Sequence, residues 1–106
     1  MIESSRAAKD FVHRRCAYPL ERLEATDYSE LNAYFVRDIA HRGGVRILVA
    51  PDESMFFIPN GVSEEWIVER FRTGARTDEV AIDQYREYNQ ARWPDSDDAI
   101  VLRSTP

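Results

Sequence analysis

The chain has 106 residues, enough for one domain of ordinary size and too few for two. Hydrophobic residues make up 43% and charged residues 31%, a globular composition that excludes disorder of the whole chain. The net charge of −5 disfavours general attraction to nucleic acid or anionic lipid.

Other features of the sequence indicate where the protein works. There is no apolar run long enough to cross a membrane and no apolar stretch of a signal peptide near Met1, so we expect a cytoplasmic protein with no membrane contact. The basic residues are thirteen arginines and one lysine. We interpret this bias mainly as the codon usage of a GC-rich, microbial genome.

The first predicted element is a helix over residues 5–17. Ser4 or Ser5 is available as its N-cap, and Pro19 stops it. Its apolar residues recur at helical spacing: Ala8, Phe11, Val12 and Cys16. Residues 20–25 could add a short helical turn.

A second helix is expected between Asp27 or Ser29 and the pair Gly43-Gly44. Its apolar stripe is made of residues four apart, namely Leu31, Phe35 and Ile39. His41 would then lie at the helix C-terminus, where a cation interacts favourably with the helix dipole.

The rest of the chain alternates strand and helix signals. Residues 45–50 and 55–58 are rich in β-branched, aliphatic and aromatic residues around a turn sequence, which predicts a hairpin. Ser63 and Thr77 are expected to cap two further helices, ended by Gly74 and Pro94, and residues 99–102 form a last strand. The predicted fold is a single α+β domain over 1–106, with the order ααββααβ. Its sheet has three strands, the hairpin plus the C-terminal strand, covered by helices.

Negative charge is concentrated near the C-terminus. Residues 77–98 contain seven acidic residues and two arginines, a net charge of −5, whereas the preceding 76 residues carry −1. Acidic residues around an aromatic side chain are suited to docking a basic protein. The predicted contact surface is Trp93, Asp95, Asp97 and Asp98. The alternative interpretation places Trp93, Tyr85 and Tyr88 in the core and the acids on a solvated face.

An alternative anion-binding stretch comprises Arg70, Arg72 and Arg76, with no acidic residue between them. Such a stretch could contact phosphate or a partner's carboxylates. A solvated, dipole-stabilised helix end explains the same residues.

No established catalytic or metal motif is present. His13 and Cys16 lie on one helix face and resemble the start of a thiol site, but the position of Cys16 on the apolar stripe favours a buried thiol. The aspartates from Asp95 to Asp98 do not match a calcium-binding loop. We expect no cofactor and no metal.

These observations favour a non-catalytic protein-binding module. The expected type is a small acidic inhibitor or accessory protein of microbial, phage or plasmid origin, whose partner has a basic, nucleic-acid-handling surface. Two alternatives remain open. Residues 5–58 loosely resemble the helices and wing of a winged-helix domain, which would make the chain a nucleic-acid-binding regulator, although its predicted recognition helix and wing lack net positive charge. A small enzyme of unrecognised class is the other alternative.

Overall fold

The computed structural model describes residues 1–40 and 42–94. Within these residues, three α-helices and a four-stranded antiparallel sheet follow the order αββββαα. The helices are α1 (Ser5–Cys16), α2 (Glu64–Arg72) and α3 (Glu79–Arg92). The strands are β1 (Leu23–Tyr28), β2 (Ala33–Asp38), β3 (Arg46–Val49) and β4 (Met55–Phe57). The predicted α+β class is therefore confirmed, but the strand number and the element order are different.

The sheet is a meander in which each strand pairs with its neighbour in the chain, in the order β1-β2-β3-β4. Ala25 lies opposite Val36, Val36 opposite Ile47, and Ile47 opposite Phe57. Because side chains alternate between the faces of a sheet, these four residues form one row on one face. Val36 and Ile47 are completely buried in this row.

Helices cover both faces of the sheet. The face with that row packs against α1 and α3, and its core includes Val12, Cys16, Val49, Met55 and Ile82. The opposite face packs against α2, in a smaller cluster that includes Ala33, Leu48, Phe56, Ile67 and Phe71. The expectation that helices cover the sheet is confirmed on both faces.

The predicted second helix is wrong, because residues 23–38 form the β1–β2 hairpin. The chain turns through a 3-10 segment at Ser29–Leu31, and Asn32 has a positive φ of 50°. Val36 lies on the α1 side of the sheet and Phe35 on the α2 side, so strand alternation overrides the four-residue spacing that suggested a helix. The winged-helix arrangement required that helix and is not the arrangement found.

Other expected elements are confirmed. Helix α1 begins after its N-cap Ser4, α2 begins after Ser63, and β3 and β4 form the predicted hairpin. The last helix is also present, but its N-cap is Asp78, not Thr77. No helix among the described residues combines the length and the apolar character that a membrane span needs.

Thr77 is bound to the outer edge of β4. Its backbone N–H donates to the carbonyl of Met55 over 2.7 Å, and its Oγ1 accepts from the N–H of Phe57 over 2.8 Å. Thr77 thus satisfies backbone groups at one edge of the hairpin that the C-terminal strand was expected to join. The predicted strand over 99–102 lies outside the described residues.

Candidate functional site

An acidic groove lies between the 3-10 segment Ser29–Leu31 and α2. Its volume is about 580 Å³. Four glutamates and one arginine line it together with Val68 and Thr73: Glu30, Glu64, Glu65, Glu69 and Arg72. We call this set of residues the acidic groove.

The local sequence explains how α2 presents these side chains. Ser63 caps the helix by accepting from the N–H of Trp66 over 3.1 Å, and Glu64 and Glu65 occupy the first turn, where negative charge is favourable. Ile67 and Phe71 are buried against the sheet. Burial of that stripe leaves the glutamates of α2 exposed, on the side that meets the 3-10 segment.

The carboxylates of the groove have few neutralising contacts. Arg72 Nη2 lies 3.4 Å from Glu30 Oε1, and these side chains are 57% and 61% exposed, so solvent screens the pair. The Tyr28 hydroxyl donates to Glu64 Oε2 over 3.0 Å. The pKa of Tyr28 is raised, first by desolvation and then by this hydrogen bond to Glu64. The groove consequently keeps a strong negative charge.

Three acids at the N-terminal end of α3, by contrast, have partners within the fold. Asp78 caps the helix by accepting from the N–H of Ala81 over 2.8 Å. Glu79 and Asp83 lie 2.5 Å and 2.9 Å from the same nitrogen, Nη2 of Arg15 on α1. The single positive charge of Arg15 on α1 therefore offsets part of the negative charge at this end of α3.

Trp93, the predicted anchor, lies half-buried at the C-terminus of α3. Its ring centre is 5.8 Å from that of Tyr18, and the guanidinium groups of Arg22 and Arg92 lie 4.8 Å and 4.5 Å from it. The tryptophan thus has basic neighbours among the described residues. Asp95, Asp97 and Asp98, the other residues of the predicted surface, lie outside the described residues, so that surface stays a prediction.

The two tyrosines of the alternative interpretation are not core residues. Tyr85 is 39% and Tyr88 61% exposed, and Tyr85 stacks on Phe57 with ring centres 4.3 Å apart. The inward positions of α3 are Ile82 and Asn89 instead.

The three arginines of the alternative anion-binding stretch contact different parts of the structure. Arg70 lies over the ring of Trp66 at 5.0 Å, and Arg72 faces Glu30 in the acidic groove. Arg76 donates to Ser54 Oγ over 2.8 Å and to the carbonyl of Phe71 over 3.1 Å. Each guanidinium therefore has a structural neighbour of its own.

The possible thiol site is part of the core. Cys16 is completely buried, with its Sγ 4.0 Å from Met55 Sδ, and burial raises its pKa to about 12. His13 Nδ1 lies 2.6 Å from the carbonyl oxygen of Tyr18. This environment favours the neutral thiol, which is a poor nucleophile. In the described part of the chain, no three potential ligands from His, Cys, Asp and Glu are grouped so that they could hold a metal ion. His41 lies outside the described residues.

Comparison with known proteins provides no relative from which to transfer a function. No protein-family model, no curated protein and no solved structure gives a significant match. The function is therefore argued from the geometry of the chain itself.

Sequence reasoning missed the acidic groove because Glu30 is far in sequence from the α2 residues that line it. Glu30 was assigned to a helix, whereas it belongs to the turn between β1 and β2. A signal was present in α2, where Glu65 and Glu69 are four residues apart and opposite the buried Ile67 and Phe71. Only the tertiary fold adds Glu30 to them.

Proposed function

We propose that the chain is a non-catalytic protein-binding module and that its acidic groove receives a basic segment of a partner protein. The observation that carries this proposal is the convergence of four glutamates and one arginine on one open groove. Glu79 and Asp83 of α3 share one arginine, Arg15. Among the described residues, Glu64, Glu65 and Glu69 of the groove have no arginine or lysine within ion-pair distance.

The chemistry of the groove indicates what kind of segment it would bind. Lysine and arginine carry a charged end on an aliphatic stem, so the stem can lie against Val68 while the charge meets Glu65 or Glu69. Charge of one sign around a groove also accelerates encounter with a partner of opposite sign. The partner class that fits is a protein with an arginine- or lysine-rich surface.

The biological role proposed with this surface is that of a small inhibitor or accessory protein of microbial, phage or plasmid origin. Proteins that handle nucleic acid carry basic surfaces for phosphate contacts, and an acidic protein can cover such a surface. The rival contact surface at Trp93, Asp95, Asp97 and Asp98 fits the same partner class, so the experiment must separate the two surfaces.

Comparative affinity capture separates them. Four forms of the full chain serve as bait in lysate of the native host: the unchanged chain, Glu30→Lys/Glu69→Lys, Asp95→Asn/Asp97→Asn/Asp98→Asn, and Glu3→Lys as a control. The control reverses an exposed acid that does not line the acidic groove. Circular dichroism establishes that each bait is folded.

The expected result is a basic protein that the unchanged chain, the aspartate variant and Glu3→Lys retain and that Glu30→Lys/Glu69→Lys loses. Loss with the aspartate variant alone would move the contact to the C-terminal surface. Equal retention by all four baits would contradict an electrostatic docking surface of either kind.

A further inference from the structure

The two outer strands of the sheet differ in whether their outward backbone groups are bonded. At the β4 edge, Thr77 binds the carbonyl of Met55 and the N–H of Phe57. The other outer strand is β1, which within the described residues pairs with β2 alone. A strand whose N–H and C=O groups are unpaired on one side can accept a further strand there.

The hydrogen-bond register identifies the outward groups of β1. The N–H of Ile39 donates to the carbonyl of Arg22 over 2.8 Å, directly beyond the end of the β1–β2 ladder. Because bonded and non-bonded pairs alternate along an antiparallel ladder, every second residue from Arg22 onward bonds to β2. The N–H and C=O groups of Ala25 and Asp27 therefore point away from β2. In the part of the chain that the structure describes, no hydrogen bond uses these four groups.

The side chains of β1 alternate between the two faces of the sheet. Leu23 and Ala25 pack on the α1 side, and Tyr28 packs on the α2 side. Thr26 therefore faces the α2 side and Asp27 the α1 side. Asp27 is exposed, and no described arginine or lysine lies within ion-pair distance of it. A strand added at this edge would thus meet an unpaired acid on the α1 side.

Two grooves lie beside β1 and α2. One is the acidic groove, which includes Glu30, two residues after the end of β1. The second has a volume of about 400 Å³ and is lined by Thr26 and Tyr28 of β1. Glu64 lines both grooves. The other residues of the second groove, which we call the edge groove, are five apolar residues and one arginine: Phe35, Leu48, Ile58, Val62, Ile67 and Arg46.

The charges of the edge groove lie near opposite ends of β1. Arg46 is opposite Arg37, which is opposite Glu24, so Arg46 belongs to the row that crosses the start of β1. Glu64 Oε2 accepts from the hydroxyl of Tyr28, the last residue of β1, over 3.0 Å. The edge groove is therefore positive near the start of β1 and negative near its end, where the acidic groove continues.

We propose that the basic segment of the partner binds as an extended strand, added antiparallel to the outer edge of β1, and continues into the acidic groove. This rests on the proposed function and specifies how the segment is recognised. Ala25 and Asp27 exchange backbone hydrogen bonds with the segment, which is the general mode of strand addition. An aliphatic residue of the segment lies beside Thr26 at the edge groove. Basic residues lie beside Asp27 and beside Tyr28, whose hydroxyl binds Glu64.

Charge complementarity favours a basic segment over a second copy of the chain at this edge. A second copy would bring the acids Glu24 and Asp27 of two strands together, and like charges on paired strands are destabilising. Side chains of a strand alternate between faces, so the residues beside Asp27 and Thr26 are consecutive in the segment. The occupant that fits is an extended segment in which two basic residues adjoin an aliphatic one.

Synthetic peptides test strand addition with the full chain. The probe is an acetylated and amidated peptide of sequence Lys-Lys-Lys-Lys-Val-Thr-Val, in which the aliphatic residue follows the basic ones, as antiparallel pairing requires. One derivative carries N-methyl groups on its fourth and sixth residues, whose N–H groups would face β1. The control derivative carries them on its third and fifth residues, whose N–H groups would face solvent. Charge and the number of methyl groups are therefore matched.

The affinities, measured by NMR titration, should separate the two derivatives. The unmodified and control peptides should bind with similar Kd. The derivative methylated toward β1 should bind at least about tenfold more weakly, because it loses backbone hydrogen bonds to Ala25 and Asp27. Glu30→Lys/Glu69→Lys should weaken the binding of the unmodified peptide. Glu53→Lys/Glu87→Lys, the same charge change at exposed residues outside both grooves, should weaken it less.

Hydrogen exchange identifies the backbone groups that the peptide uses. In the free chain, the amides of Ala25 and Asp27 should exchange much faster than that of Thr26, which bonds to β2. The unmodified peptide should slow exchange at Ala25 and Asp27 about tenfold at a free concentration of about ten times its Kd, since only the unbound chain exchanges there.

Several results would overturn the proposal. Equal binding of the two methylated peptides would contradict strand addition and leave the acidic groove as the contact surface. Binding that Glu30→Lys/Glu69→Lys does not weaken, or no binding of the unmodified peptide, would contradict the acidic groove itself, on which the proposal rests. Slow exchange of Ala25 and Asp27 in the free chain would mean that the edge is already occupied. The occupant would be the chain itself if this protection is independent of protein concentration, and a second copy if it rises with concentration.

Discussion

Asn89 on α3 donates a hydrogen bond from Nδ2 to the backbone carbonyl of Cys16, the last residue of α1, over 2.8 Å. Arg86 of α3 donates to the carbonyls of Arg14 and Arg15. The last carbonyls of a helix have no partner within that helix, so α3 supplies partners for the end of α1. The two helices on this face of the sheet are thereby joined by polar contacts as well as by the core.

Replacing Asn89 should test the strength of that connection. Asn89→Ala leaves the buried carbonyl of Cys16 without its donor, which should lower the free energy of unfolding by about 1–3 kcal/mol. Urea denaturation followed by circular dichroism measures the change. Gln90→Ala, at an exposed position on the same helix, should change stability by less than about 0.5 kcal/mol. Equal effects of the two variants would contradict a specific role for Asn89.

The burial of Cys16 predicts that its thiol reacts slowly in the folded chain. With its pKa raised to about 12, the folded chain should react slowly with thiol reagents at pH 8, and denaturant should make the reaction fast. Rapid labelling of the native chain, with a midpoint well below pH 8.5, would instead indicate an activated thiolate and would support a small enzyme.

The same shift predicts how stability depends on pH. Because folding raises the pKa of this acid from 9.0 to about 12, its contribution to stability is complete below pH 9 and is lost as the pH rises toward 12. Cys16→Ala should make the decline in the free energy of unfolding between pH 9 and 12 shallower. Denaturant titrations across that interval measure the difference, and identical slopes would contradict the assignment.

The bond between Thr77 and the β4 edge predicts a separate effect. Thr77→Val removes the Oγ1 acceptor of the Phe57 N–H, which should lower the free energy of unfolding by about 1–2 kcal/mol and speed hydrogen exchange at Phe57. Thr77→Ser keeps the hydroxyl and should retain most of the protection. Hydrogen exchange followed by NMR measures this directly, and equal protection at Phe57 in both variants would show that the edge is held by something else.

Local sequence signals were sufficient to predict four of the elements, namely α1, α2, β3 and β4. Ser4 and Ser63 are caps with side-chain oxygens that bind N–H groups of the first turn, and turn residues separate β3 from β4. These signals act over a few residues, so they can be recognised without knowing the fold.

The β1–β2 hairpin shows where local reasoning fails. Leu31, Phe35 and Ile39 match a helical stripe, but Phe35 packs on the α2 side of the sheet and Ile39 is 51% exposed. Tyr34, Val36 and Asp38 instead follow the two-residue spacing of a strand. That pattern is favoured only when β3 pairs with β2 and α1 covers the face on which Tyr34 and Val36 lie. The sequence contains both a helical and a strand spacing in this region, and tertiary contacts determine that the strand forms.

Ion pairs between distant residues could not be predicted from the sequence for the same reason. Counting along the chain identified the acids near α3, but Arg15, far away in sequence, pairs with Glu79 and Asp83. Glu30 joins the glutamates of α2 only because the hairpin turn lies beside that helix. Net charge by segment therefore does not predict which surface is electrostatically available.

The acidic groove predicts a specific pattern of association rates with the partner obtained by capture. Glu30→Lys/Glu69→Lys should slow association at least about tenfold at low salt, because it reverses charges that attract a basic surface before contact. The difference from the unchanged chain should shrink as salt rises, since the screening length falls to about 8 Å at physiological ionic strength. Stopped-flow or surface-binding kinetics at several salt concentrations measure both effects.

The aspartate variant provides a comparison that can contradict that prediction. Asp95→Asn/Asp97→Asn/Asp98→Asn should change the free energy of unfolding by less than about 0.5 kcal/mol if those charges are exposed. If the acidic groove is the contact surface, this variant should associate faster than Glu30→Lys/Glu69→Lys at every salt concentration, although both changes reduce the negative charge of the chain. The opposite ranking would place the contact at the C-terminal aspartates, because net charge alone would slow Glu30→Lys/Glu69→Lys, which adds four positive charge units, more than a variant that adds three.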